Sequence, residues 1–137
     1  MPSASIVEAQ PLIAVRDVRA SSRWYSALLG VSGSPEHPHR GVYDRLSSAG
    51  RMILQLHAWD AESHPNLVDR AAAPVGHGVL LWFMVDDFPA AVERSRVLGA
   101  EVVEDAHINP APGQWEIWLR DPDGYVVVVA GPSGGAA

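Results

Sequence analysis

The stretch that decides the fold lies near the end of the chain, where the sequence reads QWEIWLR-DPDG-YVVVVA from Gln114 to Ala130. Trp, Ile, Leu and Val favour the pleated, half-buried surface of a strand. Between the two apolar runs, Pro122 fixes its own φ, the neighbouring aspartates offer side-chain acceptors, and Gly124 can adopt a positive φ. The stretch therefore predicts a strand, a tight turn and a second strand.

The first of these strands has two unlike faces. A period of two residues puts Glu116 and Trp118 on one face and Ile117 and Leu119 on the other. The face with Ile and Leu is wholly apolar, as expected where helices cover a sheet. The opposite face carries a carboxylate beside a large aromatic ring, which indicates a pocket.

The chain repeats itself at about half its length. A Val-x-Asp-x-x-Ala run at 15–20 recurs at 85–90, and each run leads into an apolar helical stripe that ends in Leu-Gly. The aspartate of each run suits a helix N-cap, and the glycine suits the residue after the last turn. We predict a single α+β domain over residues 1–137, with a first module at about 6–57, a linker at 58–76, a second module at about 77–130 and a flexible tail at 131–137.

The remaining strands are predicted from apolar or alternating runs, and the loops from polar runs with Pro and Gly. Residues 107–113, which contain two prolines and a glycine, are predicted to form a loop, and His107 would lie in it. The predicted strands that precede the strand–turn–strand stretch fall at residues 6–15, 42–47, 51–57, 79–85 and 100–106.

Composition narrows the classes of function. The formal net charge of −6 and the lack of a basic stripe predict no nucleic-acid partner. The chain has no cysteine and no lysine, which excludes thiolate metal sites and lysine Schiff-base chemistry. No apolar run approaches the ~20 residues of a membrane span, and no signal peptide is evident. We expect a soluble, cytoplasmic protein with no membrane partner.

Three features together resemble the vicinal oxygen chelate superfamily, which groups glyoxalases, bleomycin-resistance proteins and extradiol dioxygenases. They are the Val-x-Asp-x-x-Ala-Ser-x-x-Trp-Tyr-x-x-x-Leu-Gly run at 15–30, the half-length repeat and the terminal Asp-Pro-Asp-Gly hairpin. The resemblance covers about residues 9–130. It implies two tandem βαβββ modules whose curled mixed sheet surrounds a cavity, with the helices outside. It also implies a homodimer, and open sheet edges that a partner module can cover favour the same state.

The resemblance also bears on metal binding. Metal-dependent members place His, Gln or Glu ligands at four inward-facing strand positions, which fall here on Gln10, Gln55, Leu80 and Val128. Leu and Val cannot donate a lone pair, and two neutral amides make a poor divalent site. We therefore expect no metal centre of the family type and no cofactor.

Without a metal, the expected site is an apolar cavity with a few polar groups, suited to a flat or heteroaromatic ligand. Trp82 and Trp118 would stack on the ligand, and Glu116 would accept from an amine or pair with a cationic group. The walls predicted from alternation are Leu12, Ala14, Ile53, Leu80, Trp82, Met84, Val126 and Val128. The predicted ligand-binding residues are Trp82, Trp118, Glu116, Gln55, His57, Met84, Gln10 and Tyr43.

Three functions follow from this site. The leading hypothesis is a metal-independent protein that sequesters an aromatic or cationic natural product, as the resemblance to the bleomycin-resistance branch implies; that branch binds antibiotics without chemistry. The second is a metal-independent biosynthetic enzyme that uses Glu116 or His57 as acid or base. The third is a metal-dependent lyase or dioxygenase that recruits other ligands.

Overall fold

The computed structural model describes residues 8–32, 41–61, 67–71, 74–77, 79–110 and 113–132. Its elements are β1 (Leu12–Val15), α1 (Val18–Leu29), β2 (Tyr43–Ser48), β3 (Arg51–Ala58), β4 (Leu80–Met84), α2 (Phe88–Leu98), β5 (Glu101–Asn109), β6 (Gln114–Arg120) and β7 (Val126–Gly131). They form a three-stranded sheet of order β1-β3-β2 and a four-stranded sheet of order β4-β7-β6-β5. The predicted α+β architecture of two modules with mixed, unclosed sheets is confirmed.

The second module has the predicted βαβββ order, and the first reads βαββ over the described residues, which do not include 33–40. Parts of the linker at 58–76 and of the tail at 131–137 also lie outside. The first strand was predicted from residue 6, but β1 begins at Leu12. Pro11 has no N–H for a sheet ladder, which accounts for the later start.

The two helices are capped in the same way, which confirms the internal repeat. In α1 the Asp17 side chain accepts from the Ala20 N–H at 3.0 Å, and in α2 the Asp87 side chain accepts from the Ala90 N–H at 3.1 Å. Both helices end at a glycine in the left-handed region, as the Leu-Gly endings predicted. The N-cap bonds satisfy backbone donors that an isolated helix would leave unpaired.

The core lies between the helices and one face of each sheet. Helix α2 approaches β7 so closely that a Cβ on Gly131 would lie 2.5 Å from the Cβ of Phe88, so only glycine fits there. The helices cover apolar side chains of every strand except β5, and the residues buried between the layers include Ile13, Val15, Tyr25, Leu28, Leu46, Leu54, Leu56, Leu81, Phe88, Ile117, Leu119, Val127 and Val129.

The two aspartates of the Asp-Pro-Asp-Gly turn are buried, and they join the two modules. Asp121 Oδ1 accepts from the backbone N–H groups of Asp123 at 2.8 Å and Tyr125 at 2.9 Å. Its Oδ2 accepts from the hydroxyl of Tyr25, on helix α1 of the first module, at 2.6 Å. Burial raises the pKa of Asp121, and burial together with the nearby Asp121 raises the pKa of Tyr25 well above its ordinary value. The turn therefore holds α1 against the second sheet.

The second aspartate of the turn adds further bonds to the first module. Asp123 Oδ1 accepts from the backbone N–H of Arg16 at 2.8 Å and from its Nε at 3.0 Å, and Oδ2 accepts from the Ser21 hydroxyl at 3.2 Å. Tyr125 donates to the Ala14 carbonyl oxygen at 2.9 Å, and its burial raises its pKa to about 12. The Asp-Pro-Asp-Gly motif therefore has a structural role: it links the two modules through hydrogen bonds.

Candidate functional site

The two sheets have equivalent registers. Leu12 pairs with Gln55 in the first sheet, and Trp82 pairs with Val128 in the second. Leu12 and Trp82 stand the same number of residues before the capping aspartates of their modules, so Gln55 and Val128 are equivalent positions. The positions that the family resemblance assigned to metal ligands are therefore matched between the modules by the observed strand pairing.

Glu116 and Trp118 share a face of the second sheet, as the alternation predicted. Ile117 and Leu119 point the other way and are buried in the core. On the shared face, Trp118 lies opposite Val128, which in turn lies opposite Trp82. The next row of paired residues on this face runs across all four strands and consists of Met84, Ala130, Glu116 and His107.

Strand β4 presents an apolar face that no part of the described chain covers. Leu80 is 45% exposed, Trp82 41% and Met84 60%, whereas Leu81 between them is buried. Large apolar side chains side by side in solvent usually mark a binding surface. All three were predicted to line the site, and the structure places them together along one strand.

A cavity of about 680 Å³ opens between β4 and the rim of the first sheet. A volume of this size suits a drug-sized ligand. The charged side chains that line the cavity, Glu8 and Arg51, form an ion pair at 3.0 Å on its rim. The predicted wall residues found here are Ile53, Leu80, Trp82 and Met84, and the other walls are Glu8, Ala9, Pro11, Leu29, Val31, Ser48, Arg51, Met52, Val79, Leu81, Phe83 and Val85.

The predicted polar residues of the first sheet bond chiefly to one another. The Tyr43 hydroxyl donates to Gln55 Oε1 at 2.8 Å, and Gln55 Nε2 donates to the Gln10 backbone oxygen at 2.9 Å. His57 is buried, with Nδ1 2.8 Å from the Ala58 carbonyl oxygen and its ring edge toward Tyr43. Tyr43, Gln55 and His57 lie on one face of the sheet, and all four residues lie outside the walls of the cavity.

Glu116 is held by a set of donors on the second sheet. Its side chain is 1% exposed. Trp118 Nε1 donates to Oε1 at 3.0 Å, and Asn109 Nδ2 donates to Oε2 at 3.0 Å. His107 Nε2 lies 3.7 Å from Oε1. These contacts fix the carboxylate and also fix the orientation of the Trp118 indole.

The pKa of Glu116 is lowered. Burial of the carboxylate acts to raise the pKa, but hydrogen bonds from Trp118, Asn109 and Gln114 and the proximity of His107 lower it by more. Hydrogen bonds to the charged form of an acid favour that form. Glu116 is therefore a buried, ionised carboxylate at neutral pH and a weak proton acceptor.

Sequence reasoning missed three residues of this cluster: His107, Asn109 and Gln114. The prediction of a loop over 107–113 was wrong, because β5 continues to Asn109. The available signal was alternation: in the run 106–109, His107 and Asn109 alternate with apolar residues, as a strand requires. Because of the prolines at 110 and 112, the predicted end of the strand was placed too early.

The donor set at the four family positions does not fit a divalent metal. The side-chain amide of Gln55 is bonded at both ends, and Leu80 and Val128 present only aliphatic carbon. Within the described residues, no group of three His, Asp or Glu side chains lies close enough to hold a metal ion. Neutral amides and hydrocarbon do not replace the carboxylate and imidazole ligands that such metals prefer.

Comparison with known proteins gives the family. Residues 10–130 match the model of the glyoxalase-like domain, so the chain belongs to that family within the vicinal oxygen chelate superfamily. No curated protein matches the sequence significantly.

Solved structures share the fold over nearly the whole chain. A glyoxalase/bleomycin resistance protein/dioxygenase family enzyme from Burkholderia phytofirmans PsJN aligns with a TM-score of 0.70 at 20% identity, covering 89% of this chain and 95% of that one. TioX from Micromonospora sp. ML1 gives 0.69 at 18%, with 90% and 97% covered. A lactoylglutathione lyase from Agrobacterium tumefaciens gives 0.64 at 21%, with 96% of each chain covered. At such identities the likeness concerns the fold alone.

Neither helix in the described part of the chain is long and apolar enough to cross a membrane.

Proposed function

We propose that this protein binds and sequesters a flat aromatic, positively charged small molecule without a metal and without chemistry. One observation carries the proposal: an apolar cavity of about 680 Å³ is bordered by exposed Trp82 and Met84, and hydrocarbon stands at two positions where the superfamily supplies metal ligands. Such a cavity favours recognition by shape and stacking.

The two tryptophans lie in the same row of the second sheet. Trp82 and Trp118 are on either side of Val128, two strand spacings apart, which is about 10 Å between their backbones. Val128 is fully buried, so a planar ligand stacks first on the exposed Trp82, and each aromatic pair contributes about 0.5–1.5 kcal/mol beyond area burial. The bond from Trp118 to Glu116 fixes one of the two rings before a ligand arrives.

Glu116 supports recognition of a cation better than acid–base catalysis. A general base works best with a pKa near the working pH, and the pKa of Glu116 is lowered. The carboxylate therefore stays ionised and offers a fixed negative charge. His57, the other candidate acid or base, is buried with one ring nitrogen bonded to a backbone carbonyl. Both observations favour a binding protein over the alternative metal-independent enzyme.

We also propose a homodimer. Strands β1 and β4 are edges of their sheets, and β4 exposes Leu80, Trp82 and Met84 next to its edge. A second copy covering this face would remove apolar surface from water and close the cavity. Sedimentation equilibrium checks this proposal, and a monomeric mass at micromolar concentration would contradict it.

The binding proposal is tested by calorimetry and intrinsic fluorescence with N-methylacridinium, a permanently charged flat cation, as the first probe. We expect saturable binding that Trp82→Ala weakens about tenfold or more and that Trp118→Phe weakens less. Trp115→Phe is the matched control, because Trp115 is on the same strand but packs against Phe88 in the core. Mass spectrometry of the recovered probe should show it unchanged. Equal affinity in all three variants would contradict the proposal.

A further inference from the structure

The Glu116 carboxylate is shielded by its own partners, and one of them is more loosely held than the others. Trp118 and Asn109 donate to it at 3.0 Å. His107 Nε2 is 3.7 Å away, and the His107 side chain is 36% exposed. Among these three neighbours, His107 makes the longest contact with the carboxylate. Its ring is therefore the group that an incoming ligand displaces most readily.

The hydrogen bond on the other side of the ring defines its tautomer. His107 Nδ1 lies 2.7 Å from the backbone carbonyl oxygen of Asp105. A carbonyl oxygen only accepts, so Nδ1 carries the hydrogen. In the neutral ring Nε2 then has a lone pair and gives Glu116 no donor. In the protonated ring Nε2 has a hydrogen and a charge, and it attracts the carboxylate.

Histidine is the side-chain type in this cluster whose charge depends on pH near neutrality. The described neighbours from the four strands are the exposed carboxylates Glu104 and Asp105 on β5, the neutral Gln114 and Trp118 on β6, the apolar Ala130 on β7 and the apolar Met84 on β4. The protonation of His107 thus decides whether the protein itself compensates the charge of Glu116.

We propose that His107 determines the charge specificity of the site: protonated, it pairs with the Glu116 carboxylate, and neutral, it yields that carboxylate to a cationic group of the ligand. This inference rests on the proposed function, because it identifies the residue that competes with the positive charge of the ligand. By linkage, binding of a cation releases a proton, and the affinity for a cation rises with pH.

The coupling between His107 and Glu116 is measurable without any ligand. The indole N–H of Trp118 is bonded to the same carboxylate oxygen that His107 faces. We expect its NMR signal to follow a one-proton titration that disappears in His107→Gln. His77→Gln is the control, since His77 is exposed and lies outside this cluster. A titration that survives His107→Gln would overturn the proposal.

The ligand test uses N-methylacridinium and its neutral counterpart, N-methylacridone, from pH 5.5 to 8. The wild-type protein should bind the cation about five- to tenfold more tightly at pH 8, a typical size for coupled sites, and bind the neutral probe equally at both pH values. In His107→Gln the cation should bind at pH 5.5 as tightly as at pH 8.

The outcomes separate the two proposals. If the neutral probe binds and the affinity for the cation does not change with pH, the role of His107 is wrong while the binding function stands. If neither probe binds at any pH, the proposed function fails and the assignment of His107 fails with it.

Discussion

The two sheets share a register and a helical cover but differ in what their open faces offer. In the first sheet, Tyr43, Gln55 and the backbone of Gln10 bond to one another. In the second sheet, Trp82 is exposed to solvent and Glu116 is an ionised carboxylate. A duplicated scaffold has thus kept its core while one half satisfies its own polar groups. The other half exposes large apolar side chains on β4 and holds a buried carboxylate in a set of donors.

The difference extends to the turns that end each sheet's hairpin, and here we expect the largest effect. Asp121→Ala should lower the free energy of unfolding by about 3 kcal/mol, because it leaves the Tyr25 hydroxyl and two backbone N–H groups without their acceptor. Ser48→Ala, at the exposed turn of the first sheet, should change it by less than about 0.5 kcal/mol. Urea denaturation measures the free energy of unfolding of both variants. Equal losses of stability would show that the two turns do not differ in structural importance.

A second prediction compares equivalent strand positions of the two modules. Trp82→Ala should weaken binding of N-methylacridinium about tenfold or more, through lost stacking and lost apolar contact. Leu12→Ala, at the matching position of the first sheet, should change the affinity by less than about twofold, because Leu12 is outside the cavity walls. Calorimetry gives the dissociation constants of both variants. A larger effect of Leu12→Ala would move the binding surface to the first sheet.

The charge of the second sheet supplies a third prediction. Glu116→Gln should weaken binding of the cationic probe about tenfold, since a hydrogen bond to a charged group contributes roughly 1.5–3 kcal/mol. It should leave N-methylacridone unaffected. Gln55→Glu, the reverse change in the first sheet, should not strengthen binding of the cation. Loss of both probes in Glu116→Gln would show that the residue only maintains the structure.

The lowered pKa of Glu116 gives a prediction on stability. A carboxyl group whose pKa is lower in the folded state stabilises the fold above its unfolded pKa, about 4.3 for glutamate. This contribution is lost as the pH falls through the lower folded pKa. The stability advantage of the wild-type protein over Glu116→Gln should therefore be present at pH 7 and shrink below about pH 4. Denaturation at several pH values checks it, and an advantage that grew on acidification would contradict the lowered pKa.

The smallest effect is expected in the self-bonded first sheet. Tyr43→Phe removes one hydrogen bond to Gln55 and should lower the free energy of unfolding by about 1 kcal/mol. It should leave the affinity for either probe unchanged. A marked loss of affinity would place Tyr43 in the binding site, as the sequence analysis predicted.

The fold was readable because several local signals agreed. Asp17 and Asp87 as caps, the Leu-Gly endings and the apolar alternation of 114–120 all point to the same modules, and agreement between levels is what makes a sequence specify a structure. The prediction was least accurate at strand ends. Strand β1 begins after Pro11, later than predicted. Strand β5 ends at Asn109, later than the prolines at 110 and 112 led us to predict.

The candidate site could be predicted from the sequence only in part, for a physical reason. Alternation tells which face Glu116 and Trp118 occupy, but partners on other strands depend on register. Nothing local to His107 shows that it faces Glu116 across the sheet. In the same way, the bond between Tyr43 and Gln55 depends on pairing β2 with β3, so these polar residues could not be recognised as mutually satisfied before the sheet was built.

We propose that apolar contact and stacking, not a metal, hold the ligand in this cavity. The most direct measurement is the affinity for N-methylacridinium after exhaustive chelation, compared with the affinity after addition of Zn²⁺, Ni²⁺, Mn²⁺ or Fe²⁺. We expect the same affinity under all these conditions, and an affinity about tenfold weaker or more in Trp82→Ala. Binding that disappears on chelation and returns with one of the ions would contradict it.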